Sequence, residues 1–506
     1  MVLSRFTLKN INPEAVSLPP DTVYELPEKV LQFGTGVLLR GLPDFFIDKA
    51  NRKGVFNGRI VVVKSTAQGD TSAFDKQDGM YTVCVRGVQE GQQVSENIIN
   101  ASISRVLNAA EEWEQVLECA QNPELQIIIS NTTEVGIELV NDDVRHHPPK
   151  SYPGKLLAFL LARYRVFRGS PDSGMVILPT ELIPNNGKKL ESIVLELAHL
   201  NGLEEPFIEW LEQHNHFCST LVDRIVPGKP DAATFEALEK ELGYSDELLT
   251  MSEVYSLWAI EGGDAVREKL SFAAGEESII ITEDIDLHRE LKLRLLNGTH
   301  TLSCGLAFLA GCTTVQDAMN DASVSTYIEQ VMQQEIAPAI PYTLPLEQAQ
   351  AFGNKVLDRF RNPAIRHLWL SITMNYSSKM KMRCVPVLLR HYEQSSEVPQ
   401  LLALGFAAYL AFSKPVETKG GKYYGRFNEE TYLIQDDQAP QFYRRWNGLT
   451  PAALVKEVLS DATYWGHDLG SLPGFADAVL ERLGRIQEDG MREILELTLN
   501  NKSVTA

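Results

Sequence analysis

The most informative segment of this 506-residue chain reads ELKLRLLNGTH at 290–300 and places a lysine, an asparagine and a histidine among apolar residues. At about 100° per residue, Lys292, His300 and Asn297 lie at about 0°, 80° and 140° around a helix, so they share one side of it. Buried polar groups need hydrogen-bond partners, so this set is an unusual way to fill a core. An ammonium group can move a proton on and off a carbonyl oxygen, while an amide and an imidazole stabilise that oxygen as it becomes anionic. The structural alternative is a lysine that reaches solvent beside a hydrogen bond between helices.

Basic residues follow in the segments FRNP at 360–363 and NYSSKMKMR at 375–383. A run of this kind is usually a solvated face of a helix. In a chain of net charge −20, however, a local group of cations suits a carboxylate substrate. The candidate substrate-binding residues are Arg361, Lys379, Lys381 and Arg383.

Near the N-terminus, FGTGVLLR at 33–40 is a shortened dinucleotide-binding fingerprint. Gly34 permits a tight turn, and Gly36 lets backbone N–H groups approach a pyrophosphate. The third glycine of G-x-G-x-x-G is replaced by Leu39, and a lone G-x-G can be only a turn, but the strand that follows favours a nucleotide site. The candidate cofactor-binding residues here are Phe33, Gly34, Thr35, Gly36 and Arg40.

The choice between NAD and NADP stays open on local chemistry. An acidic residue at the end of the second strand would hold the ribose 2′-hydroxyl, yet Lys64 stands there, which favours NADP. Asp70, a few residues later, can still reach the ribose.

Two further polar groups follow apolar runs. The first, NTTE at 131–134, follows a strand at the edge where open α/β sheets bind ligands; it is either a helix cap or a cofactor contact. Its candidates are Asn131, Thr132, Thr133 and Glu134. The second is Asp223 with Arg224: a structural ion pair, or an aspartate that orients the substrate or the lysine. His214 and His216 lack a third ligand at a recognisable spacing, so no metal is expected.

These residues must be positioned by two domains. Apolar, β-branched runs at 30–36, 58–65, 125–130, 175–179 and 278–282 alternate with helices at 38–53 and 111–121, which predicts a mostly parallel, doubly wound α/β domain over 1–284. Helical spacing then dominates, which predicts an all-α domain over 285–506. Its predicted helices are 288–311, 321–337, 346–361, 364–376, 397–412, 450–458 and 474–499. The glycine-rich, polar segment 414–438 is predicted to be a surface loop.

Composition limits the classes of function. A net charge of −20 and a pI near 5.0 argue against nucleic-acid and membrane binding. The six scattered cysteines favour a reduced, cytoplasmic protein. Residues 1–12 lack the apolar core of a signal peptide, and no run of about 18 apolar residues predicts a membrane helix. Nothing in the sequence indicates an oligomeric state.

Four segments in a shared order resemble the polyol-specific long-chain dehydrogenase/reductase family, which includes mannitol 2-dehydrogenase: residues 33–40, QDGMYT at 77–82, STLVDRI at 219–225, and the Lys292, Asn297 and His300 spacing. The resemblance implies a Rossmann-type domain followed by a helical domain, of the 6-phosphogluconate dehydrogenase-like type, with the active site between them. It also implies NAD as cofactor and metal-independent chemistry. In that chemistry Lys292 is the general acid/base, Asn297 and His300 polarise the substrate oxygen, and Asp223 lies beside the site.

Further segments, among them SNTTE at 130–134 and QDD at 435–437, are similar to the hexuronate-reducing members of the family. Where polyol-oxidising members have an Arg-Asp-Gly-type run, this chain has MNYSSK at 374–379. The resemblance therefore implies interconversion of D-tagaturonate and D-altronate in hexuronate catabolism. Fructuronate reduction and oxidation of another polyol remain alternatives, since one hydroxyl direction separates the epimers. A nucleotide-binding protein without catalysis is the alternative from a different class.

Overall fold

The computed structural model describes residues 1–66, 70–132 and 136–502. The chain divides into two compact units, the first comprising 1–86 and 93–285, the second 87–92 and the chain from Asp286 onward. The boundary predicted near Asp284 lies beside this division. No feature of the sequence predicted that residues 87–92 belong to the second unit.

The strands are β1 (Glu28–Phe33), β2 (Arg59–Lys64), β3 (Tyr81–Gln89), β4 (Gln92–Asn100), β5 (Ile103–Asn108), β6 (Ile127–Ser130), β7 (Val176–Pro179), β8 (His216–Phe217), β9 (Thr220–Asp223), β10 (Thr250–Glu253), β11 (Leu257–Glu261), β12 (Ile279–Thr282), β13 (Glu417–Lys419), β14 (Lys422–Phe427) and β15 (Glu430–Ile434). The α-helices of the first unit are α1 (Val37–Gly41), α2 (Pro43–Arg52), α3 (Ser72–Lys76), α4 (Trp113–Glu118), α5 (Tyr152–Phe167), α6 (Asn186–Leu200), α7 (Glu205–His214), α8 (Ala232–Leu242) and α9 (Asp264–Lys269).

The α-helices of the second unit are α10 (Asp286–Leu291), α11 (Thr299–Leu309), α12 (Val315–Asn320), α13 (Ala322–Gln330), α14 (Leu346–Phe360), α15 (Trp369–Ile372), α16 (Tyr376–Lys379), α17 (Val385–Gln394), α18 (Gln400–Phe412), α19 (Ala439–Gly448), α20 (Pro451–Leu459), α21 (Ala462–Trp465), α22 (Phe475–Glu488) and α23 (Met491–Lys502). Stretches of π-helix join some of them: Lys292–Gly298, Val331–Ile336 and Met380–Cys384.

A six-stranded sheet of order β5-β2-β1-β6-β7-β8 organises the first unit, and all of its pairings are parallel. Its central strands are buried on both faces, which is why they read as continuous apolar runs. Val30 and Ile60 pack into the core on one face, while Leu31 and Val61 pack into the core on the other. The strand order is that of a dinucleotide-binding domain. The predicted Rossmann-type fold class is thereby confirmed.

The helix predicted at 38–53 is two helices. Leu42 has φ −131° and ψ −80°, outside the helical region, and it separates α1 from α2. Proline disfavours the α conformation in the residue before it and has no N–H to continue the hydrogen-bond ladder. Pro43 therefore ends α1 and begins α2.

The strand predicted at 278–282 belongs to another sheet. As β12 it pairs in parallel with β11, which pairs antiparallel with β9, in the order β12-β11-β9. A third sheet has the order β10-β3-β4. The three consecutive isoleucines of β12 indicate a buried strand, but they do not indicate which sheet the strand joins.

The second unit packs around α18, whose residues are almost all buried. The prediction that 414–438 is a loop was wrong, because it forms an antiparallel sheet of β13, β14 and β15. The predicted helix 364–376 is also wrong in its first half, since α15 begins only at Trp369. Gly490, with φ +89°, separates α22 from α23 within the predicted helix 474–499. Across the described residues, none of the helices is both long enough and apolar enough to span a membrane.

Candidate active site

Lys292 and Asn297 lie on a π-helix rather than on the predicted α-helix. A π-helix closes its hydrogen bonds between residues five apart, so such residues share nearly the same face. The separation of about 140° expected from α-helical spacing is therefore too large. Both residues are half-buried. Single π-helical turns inside α-helices occur frequently at functional sites.

His300 lies in the first turn of α11 and is enclosed by rings. Its imidazole stacks on Phe360 with ring centroids 4.1 Å apart and meets His367 and Trp369 edge-on at 5.2 and 5.9 Å. Its Nε2 is buried and has no hydrogen-bond partner among the described residues. Burial lowers the pKa of His300 well below its usual value, and interactions with His367 and with the positive charge of Arg359 lower it further. The ring is therefore neutral near pH 7.

Lys379 and Arg383, two of the predicted substrate-binding residues, lie close enough to His300 for their charges to lower its pKa as well. Lys379 Nζ donates to the Ile372 carbonyl at 2.8 Å. Arg383 Nη1 donates to Thr301 Oγ1 at 3.1 Å, while its buried Nε has no partner within the described chain. Burial lowers the pKa of both cations. The second unit thus gathers positive charge around a neutral histidine.

Lys381 and Arg361 have other neighbours. The Lys381 ammonium lies over the Tyr464 ring, 5.4 Å from its centroid. Arg361 is exposed and pairs with Glu329 and Asp358, each at 3.7 Å. Two carboxylates therefore already face Arg361, and its substrate role stays a prediction, as does that of Lys381.

Sequence reasoning missed Arg359 and His367. Arg359 precedes the recognised segment FRNP, and its neighbour Phe360 is the residue that stacks on His300. His367 stands alone in the sequence, and only tertiary packing brings it to His300.

In the first unit, the turn after β1 suits a dinucleotide. Gly34 has φ +127°, and a Cβ there would lie 2.9 Å from Leu39 Cδ1 and 3.1 Å from the Asn131 carbonyl oxygen. A Cβ on Gly36 would meet nothing within 4 Å. The Cβ side of Gly36 thus faces open space, as it must where the backbone of a glycine turn approaches a pyrophosphate. Thr35, between the two glycines, is half-buried.

Phe33 and Arg40, also predicted to bind cofactor, make contacts inside the first unit. Phe33 is fully buried and packs against Tyr152, with ring centroids 5.2 Å apart. Arg40 Nη1 donates to the Leu248 carbonyl, and its guanidinium lies 5.5 Å from the centroid of the Tyr81 ring. Both side chains support the turn, and a direct cofactor contact by either stays a prediction.

Lys64 is engaged at the end of β2. It is 4% exposed, and its Nζ donates to the Thr66 carbonyl at 2.6 Å. Asp70 is exposed and accepts hydrogen bonds from the Ser72 hydroxyl and backbone N–H, which lower the pKa of its carboxyl. The Asp70 carboxylate is therefore ionised and open to solvent, whereas the Lys64 ammonium is buried against a backbone carbonyl.

The polar segment after β6 is hydrogen-bonded to the residues that directly follow β7. Asn131 Nδ2 donates to the Thr180 carbonyl at 3.1 Å, and the backbone N–H of Thr132 donates to Glu181 Oε1 at 2.7 Å. Burial raises the pKa of Glu181. Thr133 and Glu134 lie outside the described residues.

Asp223, predicted to lie beside the catalytic lysine, is buried at the end of β9 in the first unit. Its neighbour Arg224 donates to the Gly41 carbonyl at 2.6 Å and to the Glu253 carbonyl at 2.9 Å. A Cβ on Gly41 would lie 2.7 Å from Val226 Cγ1, so this glycine allows α1 to pack closely. In the full fingerprint that role belongs to the third glycine, which Leu39 replaces here. Arg224 therefore holds the helix after the glycine turn. The role of Asp223 stays a prediction.

No three His, Cys, Asp or Glu side chains in the described ranges are arranged to hold a metal ion, and that includes His214 and His216.

A buried polar cluster lies beneath the glycine turn. Asp44 is fully buried, and its Oδ2 accepts from Gln32 Nε2 at 3.4 Å and from the Tyr81 hydroxyl at 3.3 Å. Gln32 Nε2 also lies 3.5 Å from the Gly34 carbonyl oxygen. Asp44 Oδ1 and Gln32 Oε1 are both buried acceptors without a donor among the described residues. Burial raises the pKa of Asp44 from 3.8 to about 7.

We expect Asp44→Asn to stabilise the protein at pH 8 and to have little effect at pH 4. The Asp44 carboxyl binds its proton more tightly in the folded than in the unfolded state, so its contribution to wild-type stability falls as pH rises from about 4 to about 7 and stays low above that. At ~1.4 kcal/mol per pKa unit, the ionised carboxyl costs about 4 kcal/mol. The amide carries no charge and adds a donor for Gln32 Oε1.

Melting temperatures of wild type and Asp44→Asn at pH 4, 6 and 8 test this expectation. Asp21→Asn, at an exposed aspartate, is the control. If the difference in melting temperature between wild type and Asp44→Asn does not grow with pH, the pKa of Asp44 is not raised in the folded protein.

Comparison with known proteins gives concordant results for the two parts of the chain. Residues 28–273 match the family model of the mannitol dehydrogenase Rossmann domain, and residues 284–487 match that of the mannitol dehydrogenase C-terminal domain. The altronate oxidoreductase of Bacillus subtilis is 39% identical over 481 residues, covering 94% of this chain and 96% of that protein. The altronate oxidoreductase of Halalkalibacterium halodurans is 38% identical over 486 residues, covering 94% of each.

Solved structures agree on the fold. Pseudomonas fluorescens mannitol 2-dehydrogenase, in a ternary complex with NAD and D-mannitol, has a TM-score of 0.65 at 22% identity and covers 99% of this chain and 100% of its own. A substrate-free D-sorbitol dehydrogenase has a TM-score of 0.76 at 20% identity and covers 98% of this chain and 100% of its own.

Proposed function

The chain belongs to the mannitol dehydrogenase family, as its sequence resemblance predicted, and from that premise we propose that it interconverts D-tagaturonate and D-altronate with NADH and NAD. Both altronate oxidoreductases match it over nearly their whole length. Three cations lie near His300, namely Arg359, Lys379 and Arg383. This is the structural observation that supports a substrate with a carboxylate group. The three cations suit a sugar with a carboxylate in a chain whose net charge of −20 otherwise repels anions.

Lys292 is the proposed general acid/base. A bound nicotinamide supplies or accepts the hydride. In the reducing direction Lys292 gives its proton to the oxygen of the reduced carbon, and in the oxidising direction it takes the hydroxyl proton. Asn297 lies on the same face of the π-helix and donates its amide N–H to that oxygen.

His300 supplies a second donor to the same oxygen. Because its ring is neutral, it carries one N–H, and the other nitrogen is an acceptor. The buried Nε2 without a partner within the described chain is the atom that a substrate oxygen would satisfy. A neutral histidine holds the oxygen without competing with Lys292 for the role of acid.

Lys379 and Arg383 are the proposed carboxylate-binding residues. Arg383 has a buried Nε with no partner in the described residues, and a guanidinium binds a carboxylate in a fixed planar geometry. Arg359 extends the same positive surroundings of His300. Burial lowers the pKa of His367, so this neighbour adds a neutral ring rather than a charge.

Local chemistry in the first unit supports NAD over NADP. The Lys64 ammonium is buried on the Thr66 carbonyl, so it is poorly placed to meet a 2′-phosphate. Asp70 is exposed and ionised, which suits a ribose 2′-hydroxyl. The open side of Gly36 receives the pyrophosphate.

Initial rates of NADH oxidation with D-tagaturonate, D-fructuronate and D-fructose test the proposal. We expect kcat/KM for D-tagaturonate to exceed that for D-fructose at least about a hundredfold, since a desolvated charge pair contributes about 3 kcal/mol or more. A preference for D-fructuronate would reassign the epimer, and a preference for D-fructose would overturn the carboxylate-binding role of Lys379 and Arg383. Binding of NADH without turnover of any of the three would indicate a non-catalytic nucleotide-binding protein.

A further inference from the structure

Two π-helices of the second unit, Lys292–Gly298 and Met380–Cys384, pack against each other. The first carries the proposed proton donor, and the second carries Arg383 and directly follows Lys379. The two halves of the proposed site therefore lie on neighbouring irregular turns. Standard helix packing, which interlocks side chains spaced at three and four residues, does not fix the relative position of such turns.

Arg294, in the first π-helix, donates to the backbone of the second. Its Nη1 lies 2.5 Å from the Met382 carbonyl oxygen and 3.1 Å from the Arg383 carbonyl oxygen. The residue is 6% exposed. One guanidinium thus bridges the turn that carries Lys292 and the turn that carries Arg383.

The other edge of the same guanidinium is occupied by Glu290. Arg294 Nε lies 2.8 Å from Glu290 Oε2, and Nη2 lies 3.3 Å from Oε1, in a two-point pairing along the helix. A buried charge must be paired, and a planar guanidinium can serve a carboxylate on one edge and carbonyls on another. A lysine has the charge but not this fixed geometry.

Thr301 makes a second link between the same turns. Its hydroxyl donates to the Asn297 carbonyl at 2.7 Å and accepts from Arg383 Nη1 at 3.1 Å. Asn297 and Arg383, one from each half of the proposed site, are thereby joined through one side chain.

We propose that two positioning residues hold the proton-donating turn in register with the carboxylate-binding turn. The main one is Arg294, through its bridge to the Met382 and Arg383 carbonyls, and the second is Thr301, through its bonds to Asn297 and Arg383. This inference rests on the proposed function. Arg294 itself touches no substrate; it acts through the placement of Lys292 and Asn297 relative to Lys379 and Arg383.

Arg294→Lys tests the inference in the full-length protein with D-tagaturonate and NADH. A misplacement of about 1 Å can cost about a hundredfold in rate, so we expect kcat to fall about 10- to 100-fold and KM to rise. The affinity for NADH and the melting temperature should stay near those of wild type. Glu290→Gln keeps the bridge to the carbonyls and should lower kcat less than Arg294→Lys.

Arg485→Lys is the matched control, because Arg485 forms an Arg–Glu pair with Glu481 at the same spacing on a more exposed surface. It should leave kcat and KM unchanged. If Arg294→Lys does not fold, Thr301→Val tests the second link between the turns and should lower kcat several-fold at unchanged NADH affinity.

Two results would overturn the inference while leaving the proposed function intact: wild-type kcat in a folded Arg294→Lys, or an equal loss in Glu290→Gln, which would assign the effect to the charge pair alone. Wild-type kcat in Thr301→Val, used in place of an unfolded Arg294→Lys, would also overturn it. Absence of turnover by the wild-type protein would overturn the proposed function itself, and the inference with it.

Discussion

Replacing Lys292 with methionine should lower kcat for D-tagaturonate reduction about a thousandfold while leaving NADH affinity nearly unchanged. General acid catalysis by a positioned side chain is worth about 10²- to 10⁴-fold, and methionine keeps the length and apolar stem of lysine but offers no proton. Lys292 lies in the second unit, whereas the glycine turn that suits the cofactor lies in the first. Lys292→Met should therefore lose catalysis without losing cofactor binding.

Single-turnover rates and NADH titrations of Lys292→Met across pH 6 to 10 would check this expectation. Lys456→Met, at an exposed position on α20, is the control for loss of a helical lysine. Near-normal turnover by Lys292→Met across that range would show that another group supplies the proton.

Asn297→Ala should lower kcat about a hundredfold or more, because loss of one donor to a developing oxyanion costs about 3–4 kcal/mol in the barrier. Alanine is a good helix former, and the Asn297 carbonyl keeps its bond from Thr301, so the fold should be retained. Asn297→Asp should lose more than Asn297→Ala, because it places a negative charge against the same oxygen.

Turnover of both variants, compared with Asn447→Ala at an exposed helical asparagine, provides the measurement. If kcat falls less in Asn297→Asp than in Asn297→Ala, position 297 does not face the substrate oxygen that becomes negatively charged. It would then not belong to the oxyanion site.

The parallel sheet and the glycine turn could be predicted from the sequence because their signals are local. A strand buried on both faces must be a short apolar run, and β1, β2, β6 and β7 are such runs. Gly34 has a φ of +127°, which other residues rarely adopt, and a Cβ there would lie 2.9 Å from Leu39 Cδ1 and 3.1 Å from the Asn131 carbonyl oxygen.

The loop predicted at 414–438 shows how composition can mislead. Gly425 is a strand residue, paired with Tyr432, and a Cβ there would lie 2.3 Å from the Tyr432 ring. The glycine makes room for an aromatic ring across the sheet, which is a role that glycine content alone does not reveal.

The arrangement of the catalytic segment could be predicted only in part. The residue types at Lys292, Asn297 and His300 indicate the chemistry, but their spacing fits an α-helix as well as a π-helix. The bridge from Arg294 to Met382 joins residues 88 positions apart, and the ring contact of His300 with His367 joins residues 67 positions apart. Such contacts have no periodic signal in the sequence.

Rescue of Lys292→Ala by added primary amines is the most direct test of the claim that an ammonium at position 292 moves the proton. With D-tagaturonate and NADH at saturation, we expect kcat to rise in proportion to the concentration of methylamine or ethylamine. The same amines should leave wild type and Lys456→Ala unchanged. If kcat of Lys292→Ala stays flat as the amine concentration rises, in a protein that still binds NADH, an ammonium at position 292 is not the group that moves the proton.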